Sequence, residues 1–243
     1  MNRIVKEIEK RRLKKVREKF ACLTDEKRCI SVAEGYMDEC VIDYDRLKNK
    51  EQVIVYSAGI GDQINFELAL LKKFQEDGIN AKLYAIDPTP KSLEFLKSQK
   101  LPDNFYVLPY ALTDRDCELT FALPQSDGWV SGSAEDVKDD SRKFDFENKI
   151  KVQGRSLNSL MKELGHDRID LLKMDIEGSE FAVLKNVFEQ NILIDQMCVD
   201  EHAHMLNNGI AELKKLHSKV ANSCWRIINF RMGQGFTCEI GEK

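Results

Sequence analysis

From residue 53 onward, short apolar runs alternate with segments of helical spacing, and this alternation restricts the possible fold more than any other feature. The runs 53–57 and 81–87 are predicted strands, and each is followed by apolar residues spaced as in an amphipathic helix. A third strand is predicted at 105–112, with Pro109 at its end. Strand–helix–strand–helix–strand order is typical of a right-handed parallel α/β unit.

The same alternation continues in the second half of the chain. An extra strand is predicted at 118–123, and further strands at 149–153, 169–175 and 194–202 are each followed by a helix. Two extended segments around Gly-Gln-Gly, at 225–240, predict an antiparallel hairpin. The sequence therefore predicts an α/β fold whose sheet has about seven strands, mainly parallel, and ends in a C-terminal antiparallel hairpin.

Two of the predicted helices carry recognisable start signals. Thr89 precedes Pro90 and Ser156 precedes Leu157, so both hydroxyl groups are predicted to cap the helix that follows. Gly165 is the predicted stop of the second of these helices.

Residues 1–50 are predicted to be a helical lead-in or cap, and residues 51–243 the main domain. The first 20 residues carry nine Lys/Arg against three Glu, a net charge of +6, whereas the whole chain carries −4. Such a basic arm could contact RNA or an anionic lipid surface. The favoured interpretation is a solvated helix whose apolar side packs on the body. That side comprises Val5, Ile8, Leu13, Val16 and Phe20.

The length and the cysteine content favour an ordinary reduced, intracellular protein. A chain of 243 residues can bury enough surface to fold without a disulfide or a metal. Its seven cysteines are scattered without the spacing of a zinc or redox motif, so reduced thiols are predicted. Because no apolar run is long enough to span a bilayer and no secretory signal is recognisable near Met1, a cytoplasmic protein is predicted.

The glycine-rich turn after the first predicted strand is a candidate ligand site. Ligands of open α/β sheets bind beyond the carboxyl ends of the strands. Gly59 and Gly61 permit a tight turn there, with Asp62 following, and leave bare backbone for a ligand. Asp87 ends the second strand, where a carboxylate can accept hydrogen bonds from a ribose. The combination predicts a nucleoside cofactor; a plain turn with a solvated Asp87 is the alternative.

The turn lacks the third glycine of the dinucleotide-binding fingerprint, because Ile64 stands at that position. The following helix then approaches a pyrophosphate less closely. This argues against an NAD-dependent oxidoreductase, which is the alternative enzyme class on the same sheet.

Acidic residues follow the predicted strand 169–175. Asp175 ends that strand, Glu177 comes two residues later, and Gly178 allows a sharp turn. Glu180 lies in the first turn of the next helix, where the helix dipole favours it, so a capping role is preferred there. For Asp175 and Glu177 a functional role is preferred, because clustered carboxylates repel unless a ligand, a cation or a shared proton offsets them.

The next strand, 194–202, also ends in polar residues. Asp200, Glu201 and His202 are consecutive there, and they add carboxylates and an imidazole to the same predicted edge. A partly buried histidine without a role is an equal alternative for His202. His204 would face the other way if the strand continued.

The segment 170–180, Asp-Leu-Leu-Lys-Met-Asp-Ile-Glu-Gly-Ser-Glu, closely resembles the core motif of the FkbM-type methyltransferases, which use S-adenosylmethionine. In that family an apolar strand runs into Lys-x-Asp-x-Glu-Gly-x-Glu, here Lys173 to Glu180. Other family motifs are similar to the segments 56–67, 84–90, 110–114 and 199–202.

The resemblance implies a doubly wound, Rossmann-like class I methyltransferase sheet and O-methylation of a sugar or small-molecule acceptor. The cofactor-binding residues that it implies are Ser57, Ala58, Gly59, Gly61, Asp62, Asp87, Tyr110, Ala111 and Asp175. Ser57 and Gln63 depart from the common acidic-x-Gly-x-Gly-x-Gly loop. Asp62 or a backbone carbonyl is therefore the candidate contact for the cofactor's amino-acid moiety.

Methyl transfer to a hydroxyl group needs in-line positioning and a base for the hydroxyl proton. The candidate catalytic residues are Asp175, Glu177, Glu201 and His202, with His202 or Glu177 preferred as the base. A divalent metal held by Asp175 and by Asp200 or Glu201 is a less favoured variant.

Two features bear on the acceptor. The segment 125–137 lies in a stretch without a clear period and is predicted to form part of the acceptor site or a lid. Trp129 and Ser131 are candidate lining residues, with a core position as the alternative for Trp129. Nucleic acid is disfavoured, because no Asn/Asp-Pro-Pro-aromatic motif follows the fourth strand. A non-catalytic nucleoside-binding or RNA-tethering module is the alternative outside the enzymes.

Overall fold

Apolar segments of the chain pair into a central sheet with helices on both faces. The computed structural model describes residues 3–21, 30–31, 40–124, 133–134, 144–224, 226–231 and 235–239. The strands are β1 (Ile30–Ser31), β2 (Val41–Ile42), β3 (Gln52–Ala58), β4 (Asn80–Ile86), β5 (Phe105–Leu108), β6 (Ala111–Thr113), β7 (Cys117–Pro124), β8 (Ser133–Ala134), β9 (Phe144–Ser156), β10 (Ile169–Met174), β11 (Ile194–Asp200), β12 (Arg226–Arg231) and β13 (Gly235–Glu239). The helices are α1 (Arg3–Ala21), α2 (Tyr44–Lys48), α3 (Asn65–Glu76), α4 (Pro90–Ser98), α5 (Leu157–Leu164), α6 (Glu180–Glu189) and α7 (Gly209–Ser223), with a 3-10 turn at Ala203–Met205.

The central sheet has the strand order β12-β13-β11-β10-β3-β4-β5. The five strands from β11 to β5 are parallel, and β13 runs antiparallel between β11 and β12. The mixed α/β class predicted from the sequence is therefore confirmed. Because parallel strands end at the same side, the carboxyl ends of β3, β4, β10 and β11 form one edge.

The parallel strands are buried on both faces, which explains their continuous apolar sequences. In β3, Ile54, Tyr56 and Ala58 join the core on one face, and Val53 and Val55 join the core on the other. The alternation places Ser57 on the second face, which α3 covers. The hydrophobic pattern thus holds the first strand in the middle of the sheet.

The predicted strand 105–112 is wrong, because the chain forms two strands there. Pro109 has no N–H to continue the ladder, and the N–H of Tyr110 turns back to the carbonyl oxygen of Leu108 at 2.9 Å. β6 then leaves the central sheet and joins a second sheet of order β6-β9-β7-β8. The predicted extra strand 118–123 is β7 in this sheet, and the predicted strand 149–153 is part of the longer β9.

The helix-cap predictions have different outcomes. The Ser156 hydroxyl accepts a hydrogen bond from the N–H of Ser159, and Gly165 ends α5 in the left-handed conformation, so both are confirmed. The capping prediction for Thr89 is wrong, because its hydroxyl makes no cap bond and instead donates to Asp87 Oδ1 at 2.7 Å.

The basic N-terminal segment is helical from residue 3 and packs on α7. Leu13 is buried with Ala203 and Leu213, and Val16 packs against them, as predicted. Ile8 is 46% exposed and does not follow that prediction, while the side chains of Val5 and Phe20 lie outside the described residues. No helix in the described part of the chain is long and apolar enough to cross a membrane.

Two pairs of cysteines lie close together in the folded chain. The sulfur atoms of Cys40 and Cys198 are in contact, with the Cα atoms 6.0 Å apart. They are 158 residues apart in the chain, so no spacing motif could reveal them. Cys224 and Cys238 are a second close pair, with a sulfur–sulfur distance of 2.8 Å.

Candidate functional site

The glycine turn after β3 lies directly against the end of β10. Gly59 and Gly61 have φ values of +80° and +61°, in the left-handed region that glycine tolerates. A Cβ atom at position 59 would overlap the backbone carbonyl of Asp175. The N–H of Asp175 donates to the carbonyl oxygen of Ala58 at 2.9 Å. The absence of a side chain at Gly59 therefore lets the turn and Asp175 meet.

Asp87, at the end of β4, joins the same edge by holding the turn. Its Oδ2 accepts hydrogen bonds from the N–H groups of Ile60 at 2.9 Å and Gly61 at 3.1 Å. Its Oδ1 accepts from the N–H and the hydroxyl of Thr89. The side chain is buried, so a ribose at this edge would have to share oxygens that already order the turn.

The other residues predicted to bind the cofactor lie around this turn with different exposure. Ser57 is fully buried, and its hydroxyl donates to Glu67 on the α3 side of the sheet. Asp62 is exposed beside the turn. Tyr110 is half-buried with the guanidinium of Arg155 5.3 Å from its ring centre, and Ala111 belongs to the small core of the second sheet.

His202 and Glu180 form an oriented pair beside Asp175. The Glu180 carboxylate is fully buried and accepts hydrogen bonds from the N–H groups of Ile176 at 2.8 Å and Gly178 at 2.9 Å. His202 Nδ1 lies 3.0 Å from Glu180 Oε1. Because an ionised carboxylate only accepts, Nδ1 must carry the proton. Nε2 is thereby directed away from Glu180.

His202 Nε2 faces the carboxylates of Asp175 and Glu177, both predicted as catalytic residues from the sequence. It lies 3.7 Å from Asp175 Oδ1 and 3.8 Å from Glu177 Oε2. Burial lowers the pKa of His202, but the negative charges of Glu180, Glu177 and Asp175 outweigh it and raise the pKa to about 10. Glu177 has a φ of +52°, a left-handed conformation that is uncommon outside glycine. Asp175, Glu177 and His202 thus form one charged cluster.

Glu201, the fourth candidate catalytic residue, belongs to a different network. Its buried carboxylate pairs with Arg17 Nε at 3.3 Å through Oε2 and with His217 Nε2 through Oε1. Arg17 Nη2 also donates to the backbone carbonyl of Glu201 at 2.7 Å. Both carboxylate oxygens are occupied, which does not favour a role in proton abstraction.

Three residues of this edge could hold a cation. Asp175, Asp200 and His202 each offer one ligand atom, and these atoms lie within 4.8 Å of one another. Glu201, the other residue considered for a metal, is not among them. A metal would need Nε2 of His202 unprotonated, because Nδ1 carries the hydrogen that Glu180 accepts.

The sequence does not reveal the full role of two residues near this edge. Its pattern predicts a cap at Glu180, whereas Glu180 also orients His202 from 22 residues away in the chain. For Arg17 of α1 it predicts only a place in the basic arm. The Lys-x-Asp-x-Glu-Gly-x-Glu motif ends in Glu180 and was the signal available for the first. The isolated sequence held no signal for the second.

Comparison with known proteins gives consistent matches. A family model described as the methyltransferase FkbM domain matches residues 45–236. The chain is 26% identical over 162 residues to human "Probable methyltransferase-like protein 24", covering 65% of this chain and 35% of that protein. It is 27% identical over 122 residues to "2-O-methyltransferase NoeI" of Sinorhizobium fredii (strain NBRC 101917 / NGR234), covering 46% and 50%. The chain thus spans between a third and a half of the length of these relatives.

A solved structure of an uncharacterised protein from Burkholderia thailandensis is also similar. It is 15% identical, with a TM-score of 0.30, and the match covers 65% of this chain and 45% of that one. A likeness at this level supports no argument about the site.

Proposed function

Because this chain belongs to the methyltransferase FkbM domain family, as its motifs predicted, we propose that it transfers a methyl group from S-adenosylmethionine to a hydroxyl group of a sugar or small-molecule acceptor. The observation that carries the proposal is the meeting of the Gly59 turn, Asp87 and Asp175 at one sheet edge. The relative whose name specifies 2-O-methyl transfer supports a hydroxyl acceptor.

The strand order supports a doubly wound, Rossmann-like class I methyltransferase sheet. From β3, the chain proceeds outward to β4 and β5 on one side and to β10 and β11 on the other. The direction of winding therefore changes between β3 and β10, and ligands of such sheets bind at this change. The Gly59 turn and Asp175 follow these two strands.

The proposed cofactor contacts follow from this arrangement. The turn at Gly59 and Gly61 forms one wall of the nucleoside site, and Asp87 accepts hydrogen bonds from the ribose while it retains the turn. Asp175 attracts the cationic sulfur end of the cofactor, and the exposed Asp62 attracts its ammonium group. Ser57 supports the turn from below and does not contact the cofactor through its hydroxyl, because that hydroxyl donates a hydrogen bond to Glu67.

Bound S-adenosylmethionine supplies a methyl group activated by a positively charged sulfur. Transfer to the acceptor oxygen would break the carbon–sulfur bond of the cofactor, and the acceptor hydroxyl would have to lose its proton. In this proposal His202 Nε2 takes that proton, with Glu180 fixing the ring through Nδ1. Glu177 and Asp175 stabilise the imidazolium that results.

Calorimetric titration with S-adenosylmethionine, S-adenosylhomocysteine and NAD tests the proposal. We expect binding of the first two, and Asp87→Ala should weaken it roughly 10- to 100-fold, because hydrogen bonds to a charged group and the order of the turn are both lost. Asp103→Ala is the matched control, since Asp103 is exposed before β5 at the opposite edge. Tight binding of NAD in place of the first two compounds would contradict the assignment.

The protonation of His202 provides a second prediction. We expect its imidazole to be protonated at neutral pH and to titrate near pH 10, followed by ¹⁵N chemical shifts. The folded-state pKa lies above the ordinary value of 6.5. The stabilisation from His202 is therefore complete below that value and is lost as the pH rises through about 10. Methyl transfer should increase over the same range, because only the neutral imidazole accepts a proton.

A variant of Glu180 and the addition of EDTA or Mg²⁺ test the cause of the raised pKa of His202. Glu180→Gln should lower the pKa of His202, whereas His166, whose pKa burial already lowers, serves as the internal control. Addition of EDTA or Mg²⁺ should leave the titration unchanged. A titration of His202 near its ordinary value would contradict the charged cluster with Glu180, Glu177 and Asp175. A titration that shifts with Mg²⁺ would contradict the proton-acceptor role and favour the metal variant.

A further inference from the structure

A buried ion pair lies beneath the glycine turn, on the face of the sheet that α3 covers. Glu67 Oε1 accepts hydrogen bonds from Lys173 Nζ at 3.1 Å and from the Ser57 hydroxyl at 2.6 Å. Ser57 and Glu67 are fully buried, and Lys173 is 9% exposed. One carboxylate therefore joins α3 to the ends of both β3 and β10.

The position of this pair relative to the turn is defined by the strand register. Lys173 lies opposite Ser57 in the parallel pair β10–β3. Two residues further along the two strands come Asp175 and Gly59, whose backbones are in contact. The ion pair thus lies two residues before the contact between Gly59 and Asp175. A separation of the strand ends would also separate Gly59 from Asp175.

The same pair resolves an anomaly of the sequence. Ser57 stands where the common methyltransferase loop has its acidic residue, two positions before the first glycine. Glu67, from the first turn of α3, places its carboxylate on the hydroxyl of Ser57. An acid is therefore present at this point in space, although it comes from the helix and not from the loop.

Burial of the Glu67–Lys173 ion pair costs free energy, which argues that the pair has a role beyond packing. Glu67 Oε2 is buried without a hydrogen-bond partner in the described part of the chain. Buried ion pairs recover little more than their desolvation cost and are often replaced by apolar residues without loss of stability. An incompletely satisfied carboxylate of α3 beneath two strand ends therefore calls for a reason other than stability.

We propose that Glu67 and Lys173 are positioning residues for the cofactor. Their ion pair holds the ends of β3 and β10 at a fixed separation, so that the Gly59 turn and Asp175 form one binding surface. Neither side chain touches the cofactor in this proposal, and both act through the turn. The inference rests on the proposed function, because its readout is the binding of S-adenosylhomocysteine.

The test compares the binding and the stability of three variants. Glu67→Gln keeps an acceptor for Ser57 but removes the negative charge that Glu67 places against the Lys173 ammonium, so both the melting temperature and the affinity should fall. Lys173→Met removes the positive charge beside the buried Glu67 carboxylate, so the melting temperature and the affinity should fall in this variant too. In the double variant Glu67→Gln/Lys173→Met no unpaired charge is left, and the melting temperature should recover.

The affinity of the double variant decides between positioning and stability. We expect its dissociation constant for S-adenosylhomocysteine, measured by calorimetry well below the melting temperature, to stay at least about tenfold above that of the wild type. A merely structural pair would let the affinity recover together with the melting temperature, and that result would overturn the inference. If the wild type bound neither S-adenosylmethionine nor S-adenosylhomocysteine, the proposed function itself would fail.

The chain offers a matched control at the opposite end of the same two strands. Asp170, at the start of β10, is buried and accepts the N–H of Ile54 in β3 at 2.7 Å. Lys50, just before β3, pairs with Asp170 at 2.9 Å and also with Asp195. Lys50→Met should lower the melting temperature and leave the affinity unchanged. An equal loss of affinity in this variant would mean that any buried ion pair next to these strands matters, which would also overturn the inference.

Discussion

Gly59→Ala should abolish most cofactor binding while the protein still folds. The new Cβ would overlap the carbonyl of Asp175, and the left-handed φ of +80° is strained for alanine. We expect a loss of stability of about 2 kcal/mol or more. Because relief of the overlap must separate the turn from Asp175, the dissociation constant for S-adenosylmethionine should rise about 100-fold, which corresponds to a loss of about 2.8 kcal/mol of binding free energy. Calorimetry and chemical unfolding measure the two quantities.

Gly78 provides the matched control for this substitution. It has a similar φ of +71° at the end of α3, and a Cβ there would meet no atom within 4 Å. Gly78→Ala should therefore cost about 1 kcal/mol of stability from backbone strain alone and leave binding unchanged. If Gly59→Ala bound the cofactor as the wild type does, the turn would not be the cofactor site.

Arg17→Met should produce the largest loss of stability among the substitutions considered. Arg17 is 11% exposed and pairs with the fully buried carboxylate of Glu201, so its removal leaves a buried charge with less compensation. Such losses amount to about 3–5 kcal/mol. The free energy of unfolding in urea measures the effect. His217, which also contacts Glu201, moderates it by partial compensation.

Arg11 is the control on the same helix. Its side chain is 76% exposed and pairs across one turn with the exposed Glu7, so Arg11→Met should leave the free energy of unfolding unchanged within error. An equal, small effect of both substitutions would mean that α1 is not anchored through Arg17. In that case the alternative of a nucleic-acid-binding arm would regain weight, and the salt dependence of RNA binding would be the next measurement.

The local pattern of the chain predicted the order of most strands and helices of the central sheet. Apolar alternation and glycine positions depend on neighbours along the chain, and these identified β3, β4, β10 and β11 together with the polar residues that follow them. The pattern failed at 105–112, where one proline sends the chain into a second sheet. A continuous apolar run cannot indicate which sheet each half joins.

The family, the alternation of strands and helices, and the sheet edge that carries Gly59, Asp87 and Asp175 can all be predicted from the amino-acid sequence. The pairing of the polar side chains follows only from the three-dimensional packing. Glu201 pairs with Arg17, 184 residues away, Glu180 orients His202, and Glu67 accepts the hydrogen bond of the Ser57 hydroxyl. The two kinds of information differ in their range along the chain. Hydrophobic periodicity depends on residues a few positions apart, whereas a buried charge pairs with whichever group lies close in space after the strands have packed.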